Sequence, residues 1–252
     1  MNEVPYFKFG NGKKNLVIIP GLSIKPLIPS RIFIEDKFSI LKEDYTIYFF
    51  DRIDNPKVGY TIFDMAKDTL YKMHELGIEQ TDIYGTSQGG MIALAITKLE
   101  PDIVNKVVLA STYSRGNPFS VNTFNEWIKL SKQRDEKALI DSVIHHVYSK
   151  DMIDKYYDAL YFGMKNITEE QYQRFTILGD ACLTFDMFDD LKDIHKDMWV
   201  VASENDNVLL SIGSKEIADI TGAKFELYNQ YGHALYDEDP NFVKKLYDFF
   251  RK

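Results

Sequence analysis

The chain predicts an α/β fold: a mostly parallel central sheet flanked by helices and interrupted by one all-helical insertion. Three observations carry this expectation. Short apolar runs alternate with helix-period segments from residue 16 to 110 and resume from 198 to 250. These runs are continuous rather than alternating, which suits strands buried on both faces. Between them, from Val121 to about Phe185, no strand run occurs.

The elements follow in order. Phe7 to Phe9 reads as a strand entering a turn at Gly10-Asn11-Gly12, and Leu16 to Ile19 as a buried strand ended by Pro20-Gly21-Leu22-Ser23. Proline and glycine there stop the strand and leave backbone N–H groups pointing into space, as an oxyanion site requires; without Ser87 a plain strand-terminating turn would be the preferred reading. Thr46 to Phe50 is the next strand, closing on Asp51-Arg52. Asp64 to Leu76 carries Met65, Ala66, Thr69, Leu70, Met73 and Leu76 at spacings of three and four, one stripe on a helix, with Gly77 as its stop. Thr81 to Tyr84 and Lys106 to Ala110 are further strands, separated by the helix-forming run from Met91 to Ile96. Strand, helix and strand in this alternation imply right-handed crossovers in a parallel sheet.

Helical segments then span Phe124 to Gln133, Lys137 to Tyr148, Ile153 to Met164 and Glu169 to Leu178, with Trp127, Tyr156, Tyr157, Tyr161, Phe162 and Phe175 among them. This block predicts a cap at 117–185 over the sheet's carboxyl edge, with the core formed by 1–116 and 186–252. Its aromatics also suit a private core of the insertion. The sheet pattern resumes at Met198 to Ala202. A helix from Ile212 to Ile220, a strand at Phe225 to Tyr228 and a final helix from Pro240 to Phe250 complete the chain.

Composition narrows the function classes. With 252 residues, 45% hydrophobic and 27% charged, the sequence suits a soluble globular domain with a large core. A net charge of -8 and the lack of a basic block argue against nucleic-acid binding. Cys182 is the only cysteine, so no intramolecular disulfide or cysteine-rich metal site can form, and its apolar neighbours suit a buried thiol. Met1-Asn2-Glu3-Val4-Pro5 shows no basic segment leading into an apolar core, and no run approaches a membrane span, so a cytoplasmic protein is expected. No metal or organic cofactor is implied. The expected partner is a small acyl substrate, and the expected state a monomer or homodimer.

Gly85-Thr86-Ser87-Gln88-Gly89 matches G-x-S-x-G. Alone the pentapeptide is weak, because an ordinary strand-to-helix loop with a serine helix cap would read the same. Its flanks supply the strand and helix that a nucleophile elbow requires. Glycines at 85 and 89 leave room for a sharp turn that presents the Ser87 hydroxyl at the top of the sheet. Asp206 and His233 also fall in loops directly after strands, and such loops converge at the carboxyl edge of a parallel sheet. An imidazole can take the serine proton, and a carboxylate can fix the imidazole's tautomer. His74, His145, His146 and His195 lie elsewhere, and Glu204 competes with Asp206 but sits less far into the loop.

On Ile19-Pro20-Gly21-Leu22, Asp51-Arg52, the elbow from Gly85 to Gly89, Glu204-Asn205-Asp206 and Gly232-His233-Ala234, the chain resembles the α/β-hydrolase fold superfamily, in its single-domain group with a helical cap. The likeness spans nearly the whole chain and is weakest in the cap. It departs at Pro20-Gly21, where many relatives have His-Gly, and at Ser203, where a glycine is usual. The resemblance implies Ser87 as nucleophile, His233 as base and then acid, Asp206 as orienting carboxylate, and an oxyanion hole from the N–H groups of Leu22 and Gln88. Ser23, Met91, Tyr113, Trp127 and Phe162 are the expected substrate contacts, while Arg115 reads as a solvated surface residue. Hydrolysis of a carboxylic ester through an acyl-Ser87 intermediate is the expected reaction. C–C bond hydrolysis, lactone opening, thioester cleavage, acyl transfer and lyase chemistry on the same triad remain open, as does a ligand-sensing protein that keeps the fold.

Overall fold

The computed structural model describes residues 3–252; Met1 and Asn2, the start of the N-terminal stretch considered above, lie outside the described residues. Among the described residues seven strands form one sheet in the order β1-β3-β2-β4-β5-β6-β7. The first, β1 (Tyr6–Phe9), runs antiparallel to β3 rather than forming a hairpin with β2 (Lys14–Ile19). Gly10, at φ 78°, turns the chain away between them. The remaining pairings are all parallel.

The segment after β2 contains a short helix not anticipated from sequence, α1 (Arg31–Lys37), which buries none of its residues and leaves Ile32 and Phe33 exposed. Then come β3 (Tyr45–Phe50) and α2 (Ile62–Glu75). Thr61 and Asp64 start α2 with a reciprocal capping box, each side chain taking up the other's backbone N–H. Its stripe of Met65, Ala66, Thr69, Leu70 and Met73 is buried as the spacing predicts, and Gly77 ends it at φ 69°. β4 (Thr81–Thr86), α3 (Gln88–Leu99) and β5 (Val104–Ala110) are buried almost throughout.

Four helices separate β5 from β6: α4 (Pro118–Gln133), α5 (Glu136–Val147), α6 (Lys150–Met164) and α7 (Glu169–Leu183). α4 starts six residues earlier than the hydrophobic period suggests, because Asn117 and Ser120 form a capping box ahead of Pro118. α4 and α7 bury aromatic residues against each other and the core, whereas α6 has no buried residue. The chain finishes with β6 (Asp197–Ser203), α8 (Ser211–Thr221), β7 (Lys224–Tyr228), α9 (Leu235–Glu238) and α10 (Phe242–Arg251). Pro240 falls in the turn before α10, not in its first helical turn; the Asp239 carboxylate accepts the Asn241 N–H at 2.9 Å and takes over the start of the helix.

Strand alternation divides the core between the two faces of the sheet. Val17, Ile19, Ile83, Val107, Leu109 and Val200 pack under α2, α3 and α8. Ile18, Tyr84, Val108, Trp199 and Val201 pack under α10 through Phe242, Leu246 and Phe250. Among the described residues no helix is long and apolar enough to cross a membrane. Because β3 lies on one side of β2 and β4 on the other, the chain reverses direction at the β2/β4 boundary, opening a crevice at their carboxyl ends.

Candidate active site

That crevice holds Ser87. Its backbone sits at φ 51°, ψ −121°, in a region that costs a residue with a Cβ about 1–3 kcal/mol. The surroundings hold it there: the Ser87 N–H donates to Ala110 O at 2.9 Å, and Ser87 O accepts from Thr112 Oγ1 at 2.7 Å and Gly90 N at 2.9 Å. The turn is tight enough to demand glycine. A Cβ on Gly89 would lie 2.0 Å from Ile19 O and 2.5 Å from Pro20 O, and one on Gly85 would lie 2.5 Å from Gly89 O. Both obstacles are backbone, which no rotamer change can move. Gly89→Ala is therefore expected to destabilise the fold by about 3 kcal/mol or more. Urea denaturation of the variant beside wild type checks this, and a midpoint within error of wild type would disprove the close approach.

Asp206 and His233 follow β6 and β7 at the same edge, and both are buried. Asp206 Oδ1 accepts the N–H groups of Val208 at 2.8 Å and Leu209 at 2.9 Å, leaving Oδ2 to meet His233 Nδ1 at 2.8 Å. Burial pushes the Asp206 carboxyl up, but the adjacent imidazole and the two N–H groups outweigh it and hold the pKa below its usual value. An ionised carboxylate can only accept, so Nδ1 must carry the proton, and a neutral imidazole then keeps Nε2 as an acceptor. Glu204, by contrast, is exposed.

The His233 loop is braced from both sides. Ser111 Oγ donates to His233 O at 2.7 Å, and Ala234 N donates to Val147 O at 2.9 Å. Glu238 Oε1 accepts from Gly232 N at 3.2 Å and from Ser149 N at 3.0 Å, binding the loop to the junction of α5 and α6. Gly232 is packed so closely there that a Cβ would lie 2.7 Å from Ser149 N.

Ser87 and His233 open onto one cavity of about 620 Å³. Among the described residues no hydrogen bond joins the Ser87 hydroxyl to the His233 ring, a contact that commonly tightens only with substrate bound. Gly21 and Leu22, after β2, line the same cavity, and a Cβ on Gly21 would come within 3.1 Å of Ser87 Cβ. Among the described residues the N–H groups of Leu22 and Gln88 donate to no protein acceptor, so both remain available beside the serine. The Gln88 side chain points elsewhere, donating to Leu178 O at 2.7 Å and Cys182 Sγ at 3.2 Å. Burial pushes the Cys182 thiol up to about 12, which keeps it protonated and inert.

Of the expected substrate contacts, Ser23 and Trp127 line the cavity, and Met91, Tyr113 and Phe162 do not. Met91 is fully buried in the core beneath α3. The Tyr113 ring is likewise buried, its hydroxyl donating to Cys182 O at 2.7 Å. Phe162 is 70% exposed on the outside of α6, with Lys165 Nζ above its ring. Arg115 lies outside the cavity, paired with Glu216 at 3.0 Å and stacked on Phe188. The walls that were missed include Phe124, Val143, Met164 and Phe175 from the helical insertion, and Phe38 and Tyr236 from the opposite side. Phe124 and Trp127 stand three apart on α4, so helical spacing alone could have paired them. Among the described residues there is no cluster of three or more potential metal ligands.

Comparison with known proteins agrees with this fold. A family model described as the alpha/beta hydrolase fold matches residues 41–139. A protein of Stutzerimonas stutzeri (strain A1501) named "Putative carbamate hydrolase RutD" is 25% identical over 211 residues, covering 79% of this chain and 80% of its own. Among solved structures, the α/β hydrolase MGS-M2 from a Medee basin deep-sea metagenome library superposes with a TM-score of 0.87 at 21% identity, covering 99% of this chain and 94% of that one. The enol-lactonase of Burkholderia xenovorans LB400 gives a TM-score of 0.83 at 19% identity, with 99% and 96% covered. Sheet order, elbow geometry and these likenesses converge: the chain has the α/β-hydrolase fold.

Proposed function

We propose that this chain is a serine hydrolase that cleaves a carboxylic ester or a related acyl bond of a small, partly apolar substrate. The observation that carries the reading is the Asp206–His233 pair: its carboxylate is saturated by two N–H groups and one imidazole, and its ring opens onto the cavity that Ser87 shares. In this reading Ser87 Oγ attacks the acyl carbon as His233 Nε2 takes the hydroxyl proton. The resulting oxyanion is held by the N–H groups of Leu22 and Gln88, which meet no competing acceptor in the protein. His233 then protonates the leaving group, and a water deprotonated by the same ring releases the acid and restores Ser87. The curated and solved relatives named for hydrolysis of a carbamate or an enol-lactone support acyl-bond cleavage as the reaction class.

We assign the helices between β5 and β6, residues 117–185, as a cap that sizes the substrate. Phe124, Trp127, Val143 and Phe175 give the cavity an apolar wall suited to an alkyl or aryl group. Hydrolysis of p-nitrophenyl esters from acetate to long acyl chains tests both parts of the proposal. Activity is expected to peak at one chain length. Trp127→Ala is expected to move that peak to longer chains, raising kcat/KM for long relative to short esters about tenfold. A profile that Trp127→Ala leaves in place would show that the acyl group does not bind under α4.

A further inference from the structure

An oxyanion hole needs its donors held in one orientation, and Leu22 depends for this on a glycine. A Cβ on Gly21 would sit tightly, 3.1 Å from Ser87 Cβ, and the glycine found there leaves the peptide joining residues 21 and 22 free to rotate. In a planar trans peptide the C=O and the next N–H point in opposite directions. Whatever holds Gly21 O therefore also aims the Leu22 N–H.

Arg52 holds it. This side chain is buried beneath the loop; its Nη1 donates to Pro20 O at 2.6 Å and its Nη2 to Gly21 O. If the 21–22 peptide flipped, the Leu22 N–H would face the guanidinium, donor against donor. Asp51 accepts from Arg52 N at 2.7 Å and lies 3.8 Å from Arg52 Nη2, and it pairs with Arg174 Nη2 at 3.1 Å. Arg174 comes from α7 and also donates to Ile53 O at 3.0 Å and Arg52 O at 3.1 Å. Two guanidinium groups thus share one carboxylate, leaving an excess positive charge one peptide group away from the donor. Burial lowers the pKa of Arg52 to about 10, which still leaves it charged at neutral pH.

We propose that Arg52 is a positioning residue for catalysis: by clamping Pro20 O and Gly21 O it fixes the Leu22 N–H toward the cavity, and Asp51 and Arg174 lock the clamp to α7. The inference rests on the acyl-transfer reading above, but its structural half is testable without activity. In ¹⁵N-leucine-labelled protein, Arg52→Met is expected to shift or broaden the Leu22 amide resonance, while circular dichroism stays that of wild type. In ester hydrolysis the same variant is expected to lose roughly 10- to 100-fold in kcat with KM within about twofold. Inhibition by an alkyl trifluoromethyl ketone, which forms an oxyanion on the serine, should weaken by the same factor, and binding of the matching methyl ketone should be unchanged. Arg52→Lys keeps the charge but loses the planar fork whose two nitrogens hold the two carbonyls separately, so its losses should be intermediate; it carries the test if Arg52→Met does not fold.

An unmoved Leu22 resonance overturns the proposal, as does an unchanged kcat or an equal weakening of both ketones. If wild type hydrolyses no ester, the functional reading fails, and the Leu22 amide still decides the clamp.

Discussion

Ser87→Ala is expected to lower kcat/KM for the preferred ester about a million-fold and to abolish covalent labelling by a fluorophosphonate, with the fold intact. The magnitude follows from the geometry. Ser87 and His233 would act as one proton-transfer unit, so removing either member removes the whole nucleophilic route. His233→Ala should therefore cost nearly as much, and the double variant little more than either single one. Residual rates would come from the Leu22 and Gln88 N–H groups acting on a water-driven reaction. Stability should respond in a separate way. Alanine keeps the Cβ and hence the strain at φ 51°, whereas Ser87→Gly relieves it and should stabilise the fold by about 1 kcal/mol. Labelling that survives in Ser87→Ala would move the nucleophile elsewhere, and a less stable Ser87→Gly would contradict the strained elbow.

Asp206→Asn should carry the next largest effect, about a 10⁴-fold loss in kcat/KM. An asparagine can offer its N–H to His233 Nδ1 and so favour the tautomer whose proton sits on Nε2, where it blocks acceptance from Ser87. The substitution also changes the pH dependence of stability. The folded-state pKa of Asp206 is depressed, so its ionised form stabilises the native state above the ordinary carboxylate range. This contribution drains away as the pH falls through the lowered value. Wild type should therefore lose stability on acidification more steeply than Asp206→Asn, and melting temperatures taken from neutral to strongly acidic pH would reveal the difference. Parallel curves would mean that Asp206 is not held ionised by His233.

Much of this architecture was legible in the residues because apolar continuity reports burial directly. Leu16 to Ile19 and Met198 to Ala202 are strands because nothing polar interrupts them, and the three loops bearing Ser87, Asp206 and His233 follow from where such runs stop. Capping chemistry extended some elements beyond their hydrophobic period: Asn117 and Ser120 start α4 well before its first buried aromatic residue, Phe124. α1 escaped notice because it buries nothing and so leaves no stripe. The cavity walls were less legible. Periodicity gives the direction of a side chain from its own helix axis but not what stands opposite. Met91 and Tyr113 accordingly face the core, and Phe162 faces solvent. The clamp on Gly21 could not be read at all, since Arg174 meets Asp51 across more than a hundred residues of chain.

The bracing of the His233 loop bears on how a substrate gets in. Val147 and Ser149 are stapled to that loop through Ala234 and Glu238, so the helical insertion cannot hinge outward as one body without dragging the imidazole along. α6 begins just past the staple, has no buried residue, and contributes Gly163 and Met164 to the cavity wall. Unfastening α6 alone would uncover only half-buried side chains, Ile153, Tyr157, Leu160, Tyr161 and Met164, and in amide exchange it should open far more often than α4 or α7. An enzyme that admits its substrate through one loosened helix keeps its proton relay assembled between turnovers, so no step of each cycle is spent rebuilding it.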